Sequence, residues 1–230
     1  DELKLSGVPE HAREMFREQA RGQGQSGYLL DLRGPSYQAI MTYADARELR
    51  QTLYRAYGTR ASDQSEHGAR FDNGPRIESL LRLKAEAAGL LGFANSAEQS
   101  LATKMAPDVA TVVQFLADLV QRAKPSAEAE LADLQRFSSA KLGIGVLMPW
   151  DIAYASEKLK LERFALDDEA LRVYFPLERV LQGMLALCAQ LFGVRARSRP
   201  VDAWHADVRY FDLINARDDC LLYTSDAADE

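Results

Sequence analysis

Three histidines and two cysteines in 230 residues leave this chain few of the side chains from which metal centres are built. Cys188 and Cys220 supply no disulfide framework, which fits a reducing compartment and leads us to expect the cytoplasm. Basic residues are not in excess. Lys and Arg number 28 against 34 Asp and Glu, for a net charge of -6 and no basic block, which argues against nucleic acid or an anionic membrane as partner. Long hydrophobic runs are missing too: "GMLALCAQLFGV" is shorter than a membrane span and carries Gln190. No signal or transit peptide is visible, and the first residue is Asp1 rather than methionine, which reads as a cut or processed N-terminus. Internal repeats and low-complexity segments do not occur.

What is present is an ordinary globular composition, 47% apolar and 27% charged, in a chain long enough for one large domain or two small ones. Helical periodicity dominates. Val109, Val112, Val113, Leu116, Leu119, Val120 and Ala123 form one apolar stripe on a helix opened by Pro107. Pro125 is expected to end or kink it, with a second helix over about 126–142. Asp45 to Glu48 and Ser96 to Gln99 have capping-box spacing, and Pro75 suits the first turn of a helix carrying Ile77, Leu80, Leu81, Ala88 and Leu91. The stretch from Val180 to Phe192 is apolar nearly all round and is expected to be central and buried. Only 27–32, 193–197 and 207–214 read as strands. The expected fold is mainly α, a multi-helix scaffold with a small β element near the C-terminal end.

Several local patterns imitate chemistry. "GQGQSG", 22–27, matches G-x-G-x-x-G letter for letter, but a dinucleotide site needs a strand before it and a helix after it. Here the order is reversed, so the segment reads as a helix-to-strand connection. "SSAK", 138–141, has the spacing of acylating serine enzymes without their partner motifs. Asp167, Asp168 and Glu169 suit the first turn of a helix. His11, His67 and His205 lie far apart, and no pair has the i, i+4 spacing that puts two imidazoles on one helix face. Asp202, His205 and Asp207 could form a small metal site, although a lone histidine more often serves as a structural hydrogen-bonder. Residue chemistry alone yields no complete active site: no catalytic residue and no metal ligand is assigned.

Five stretches in order carry more information: "LYRAYGTRASD" (53–63), "LLGFANSAEQSLATKMA" (90–106), "PWDIAYASEK" (149–158), "YFPLERVLQGML" (174–185) and "DAWHADVRYF" (202–211). Together they resemble the thimet oligopeptidase family of zinc metallopeptidases, above all its bacterial oligopeptidase A branch, over about residues 1–217. The resemblance implies a mainly helical metallopeptidase scaffold whose deep channel admits short peptides. It also implies an H-E-x-x-H helix in which two histidines, with a further glutamate, hold zinc and the motif glutamate activates the bound water. Those residues lie downstream of the block matching "DAWHADVRYF", so no position here corresponds to them, and His205 falls outside the ligand set.

On this basis 1–44 reads as the end of an N-terminal helical region, and 45–219 as the upstream part of a catalytic domain. Residues 220–230, "CLLYTSDAADE", read as an unrelated tail of the kind produced by sequencing-adapter read-through, expected to be uncoupled from the fold. The chain is then expected to be a fragment, inactive and without bound zinc, of an enzyme that uses zinc to cleave short peptides. A dipeptidyl carboxypeptidase of the same family and a non-catalytic helical peptide-binding module are the alternatives. Within the chain, Trp150, Asp151 and Tyr154 are candidates for the channel wall. The competing reading packs Trp150 in the core, makes Asp151 a helix cap and turns Tyr154 to the buried side of its helix.

Overall fold

The computed structural model describes residues 2–65, 68–205, 207–217 and 220–226. It divides into two compact units, Asp1–Leu166 and Asp167–Glu230. In the first, helices α1 (Glu10–Gly22), α2 (Gly34–Tyr43), α3 (Arg47–Gly58), α4 (Gly68–Phe71), α5 (Gly74–Leu90), α6 (Ser96–Leu101), α7 (Val109–Phe137) and α8 (Ile152–Phe164) follow one another. The second holds α9 (Asp168–Arg172), α10 (Leu177–Phe192) and strands β1 (Val194–Arg199), β2 (Tyr210–Asn215) and β3 (Leu221–Asp226). The expected class, mainly helical with a small sheet near the C-terminal end, is what the structure shows.

The core of the first unit gathers Leu5, Val8, Ala12, Phe16, Ile40, Ala44 and Leu53 from α1, α2, α3 and the turn before α1. Phe16 and Ile40 are wholly enclosed. Residues 27–32, expected as a strand, run without a strand partner; Tyr28, Leu30 and Leu32 lean on this core, and the Leu29 N–H donates to the Phe16 carbonyl. Their alternation therefore serves a core face rather than a sheet. Gly7 closes the turn into α1 with φ +81°, and a Cβ there would sit 2.3 Å from the Tyr43 carbonyl oxygen, so no other residue fits without displacement.

Helix starts follow local chemistry. The Asn95 side chain accepts from the Ala97 and Glu98 N–H groups at the start of α6, one residue earlier than the spacing suggested. Asp108 caps α7 through the Thr111 N–H, and Asp167 caps α9. Pro75 lies in the first turn of α5 as expected. Pro125 does not end its helix: α7 runs through it to Phe137, followed by a π turn over Ser138–Leu142. Residues 121–130 are all exposed, so water can satisfy the carbonyl that the proline leaves without a donor.

A larger departure concerns burial. Helix α10, expected to be central, has no buried residue; Met184, Leu187 and Phe192 are 51%, 54% and 73% exposed. Helices α5 and α7 keep their apolar stripes, but bury only Ala88 and Leu134. The sheet has order β1-β2-β3 and is antiparallel throughout. Leu221–Asp226 belong to the segment expected to be uncoupled from the fold, yet they pair with β2, Leu213 opposite Tyr223. Ile214 is buried at the centre of the sheet, and Asp212, buried on the same strand face, meets Arg197 and Arg199 at 3.5 and 3.7 Å.

Candidate functional site

The densest polar cluster in the first unit forms around 149–154. Pro149 opens a 3-10 turn, Pro149–Asp151, that leads directly into α8. Asp151 is fully enclosed and reaches across to α3, about a hundred residues earlier in the chain. Arg50 donates to it from Nη2 at 2.9 Å, and Arg47 from Nη2 at 2.6 Å and from Nε at 3.1 Å. The Met148 N–H adds a fourth donor at 3.0 Å. Asp151 therefore caps the 3-10 turn from within, not α8, whose first turn receives no side-chain bond.

Arg50, 1% exposed, spends the rest of its donors on backbone: the Ala44 carbonyl at 2.6 Å, Asp45 at 3.3 Å and Trp150 at 3.1 Å. Its guanidinium lies 4.0 Å from the centre of the Tyr154 ring. The Tyr154 hydroxyl donates to Asp45 Oδ1 at 2.9 Å, and Asp45 also accepts from Ser6 at 2.8 Å and pairs with Lys158 at 3.5 Å. These contacts tie the turn before α1, the start of α3 and the first turns of α8 into one network.

Electrostatics follow from it. Burial alone would push the Asp151 carboxyl up, but the hydrogen bonds from Arg47, Arg50 and Met148 outweigh it and hold the carboxyl below the usual range. Asp45 behaves alike: burial opposes ionisation, and Ser6, Tyr154 and Lys158 prevail. Burial and the bond to Asp45 push the Tyr154 phenol up to about 12. A carboxylate with its donors in place and no open face is a poor general base, so Asp151 has the chemistry of a fastener. Trp150 differs. It is half-buried, tilted against Tyr54 with ring centres 5.9 Å apart, and Arg55 stands 5.9 Å from its ring.

Arg47 and Arg50 were not singled out in the sequence, though a signal was available. Their i, i+3 spacing puts two guanidiniums on one helix face, and Arg50 falls three residues before the buried Leu53. An arginine in a core stripe calls for a buried acid.

The other sequence patterns resolve plainly. "GQGQSG" borders an open depression with Arg17 and Arg21, but Arg17 already donates to Glu10, Glu14 and Tyr28 at 2.7, 2.8 and 2.9 Å. In "SSAK", Ser138 is sealed from solvent while Lys141 pairs with Glu162 at 3.4 Å. His205 is exposed, 3.6 Å from Asp207, and His11 is exposed on α1; His67 lies outside the described residues. Among the described residues no three His, Cys, Asp or Glu side chains converge as metal ligands.

Comparison with known proteins identifies the scaffold. The chain is 47% identical over 214 residues to oligopeptidase A of Salmonella typhimurium, covering 93% of this chain and 32% of that protein. Oligopeptidase A of Escherichia coli is similar to the same extent. The Escherichia coli dipeptidyl carboxypeptidase is 30% identical over 218 residues, 94% of this chain and 31% of that protein. The chain thus spans about a third of the length of these relatives. Residues 40–224 match peptidase family M3, and the chain belongs to that family.

Proposed function

We propose that this chain is the upstream part of an oligopeptidase A-like zinc metallopeptidase that hydrolyses short peptides. The observation carrying this reading is the 47% identity to oligopeptidase A maintained over 93% of the chain. The lower identity of 30% to a dipeptidyl carboxypeptidase makes removal of C-terminal dipeptides the second reading. In both, zinc supplies an activated water, and its ligands belong to the part of the relatives that this chain does not match. Residues 45–219 then form the upstream part of the catalytic domain, following the end of a helical region. Alone, the chain neither holds zinc nor cleaves peptides. A sequence with only two cysteines supports a cytoplasmic setting, and no helix among the described residues is long and apolar enough to cross a membrane.

Within this scaffold we assign Trp150 to the wall of the peptide channel, because it keeps an accessible face beside Tyr54 and Arg55. Asp151 and Tyr154 are positioning residues that hold the turn presenting it. The test is the gene beyond codon 219. An H-E-x-x-H motif followed by a further glutamate is expected, and a continuation without it sinks the peptidase reading. Metal analysis of the purified chain with a quenched-fluorescent peptide is the companion measurement. Stoichiometric zinc or chelator-sensitive cleavage would show that the chain is not catalytically empty.

A further inference from the structure

The stripe on α7 that periodicity marks out as a core face is open in the folded chain. Val113, Leu116, Leu119 and Val120 are 59%, 53%, 48% and 61% exposed. They share one side of the helix, while Asp118 lies on the other and accepts a hydrogen bond from Gln114. The same imbalance runs through the molecule. Its accessible surface is 17021 Å², whereas two separate compact units of these sizes would expose about 12,000 Å².

That excess, about 5,000 Å², identifies the kind of occupant. Even an obligate homodimer takes only about 1,000–2,500 Å² from each partner, so a second copy would leave about half or more of the surplus wet. A surplus of this size matches a hydrophobic core divided between parts of one larger fold. The relatives supply such parts, since the chain covers 32% of oligopeptidase A.

We propose that the Val113–Leu116–Leu119–Val120 stripe of α7 is an interface that receives the portion of a family M3 peptidase lying outside the matched third. This rests on the reading that the chain is part of such a peptidase. The occupant presents an apolar, uncharged surface. Charged residues there would be desolvated against four aliphatic side chains with no counter-ion on the stripe.

A thiol probe tests it. Leu116→Cys, in a background freed of the native cysteines, is labelled in two settings. One is the 230-residue chain. The other is a chimera carrying residues 1–217 in place of the matched third of Escherichia coli oligopeptidase A. Labelling is expected to be fast in the chain and at least tenfold slower in the chimera. Asp118→Cys, on the opposite side of α7, is expected to react at the same rate in both. Equal rates for Leu116→Cys in the two settings overturn the proposal, as does equal protection of both positions in the chimera. Slow, concentration-dependent labelling in the isolated chain also overturns it, by making a second copy the occupant. If the chimera does not fold, Leu116→Cys in the longer native gene gives the same comparison. Peptide cleavage by the chimera is read separately. A cleaving chimera with an unprotected Leu116→Cys thiol refutes this interface alone, whereas a native gene without H-E-x-x-H refutes the peptidase reading.

Discussion

Helices α1, α2 and α3 differ from α5 and α7 in what they do with the same kind of sequence. α1, α3 and α7 are amphipathic, and α7 is the longest helix described. Yet α1 to α3 close over Phe16, Ile40 and Leu53, whereas α5 and α7 bury one residue each. Periodicity fixes that a segment is helical and which side is apolar. It does not fix whether the partner for that side lies in the same stretch of chain. In the first set the partner is nearby, and polar fasteners reinforce the closure; in the second the stripe is formed and waits.

The largest effect should come from cutting the fastener that joins α3 to α8. Asp151→Ala leaves Arg50 enclosed with no counter-charge, a change expected to cost about 3–5 kcal/mol. Chemical denaturation of the variant measures it. A loss below about 1 kcal/mol would mean that Arg50 finds water or another acid and that the network is ornamental. Pairing Arg50→Met with Asp151→Leu should recover much of the loss, because two apolar groups remove the stranded charge.

Next comes a direct contrast between the two helix sets. Ile40→Ala in the closed core should cost about 2–5 kcal/mol, since it removes enclosed methyl groups and leaves a cavity. Leu116→Ala on the open stripe removes similar atoms that are already wet and should stay within about 0.5 kcal/mol. Equal costs would break the comparison by showing that α7 is covered in solution.

Acid should act on the closed set first. The Asp151 and Asp45 carboxyls are held below their ordinary value of 3.8, so their contribution is present above that value and lost as pH falls through the lower folded value. The midpoint of thermal unfolding should therefore drop steeply below about pH 4, and Asp151→Asn should flatten that limb. An unchanged acid limb in the variant would assign the loss to other carboxylates.

These contrasts also explain which features were legible in the sequence. The helical class and the small sheet were, because stripe spacing and β-branched runs act locally. So was the family, through five ordered blocks. Of the end or kink expected at Pro125, the end does not occur, because a helix break depends on whether the freed carbonyl can reach water, which an exposed helix allows. Asp45 misled in another way: its spacing to Glu48 fits a capping box, but its side chain turns to Ser6, Tyr154 and Lys158, long-range partners that local spacing cannot encode. The burial of α10 was over-read, because an apolar surface calls for cover without saying where in the sequence that cover lies. At the candidate site, the block 149–158 was visible, but the division of labour inside it was not, because Arg47 and Arg50 meet Asp151 across a hundred residues of chain.

Among the losses expected in the closed set, the smallest should come from Tyr154→Phe, and it isolates one bond. The ring stays, so the stacking of Arg50 at 4.0 Å and of Lys158 at 5.1 Å is kept, along with nearly all the buried apolar area. Only the 2.9 Å hydrogen bond to Asp45 goes. Asp45 retains Ser6 and Lys158 and is partly exposed, so no charge is stranded, and the cost should be about 0.5–1.5 kcal/mol. The sign of its pH dependence is opposite to that of the carboxylates. The phenol is raised from 10.0 to about 12, so its contribution is complete below pH 10 and fades as pH rises through 12. Tyr154→Phe should therefore lose a little stability at neutral pH and show a shallower alkaline limb than the parent chain. If the variant matches the parent at neutral pH and keeps the full alkaline limb, the Tyr154–Asp45 bond is not part of what holds α8 to the closed core.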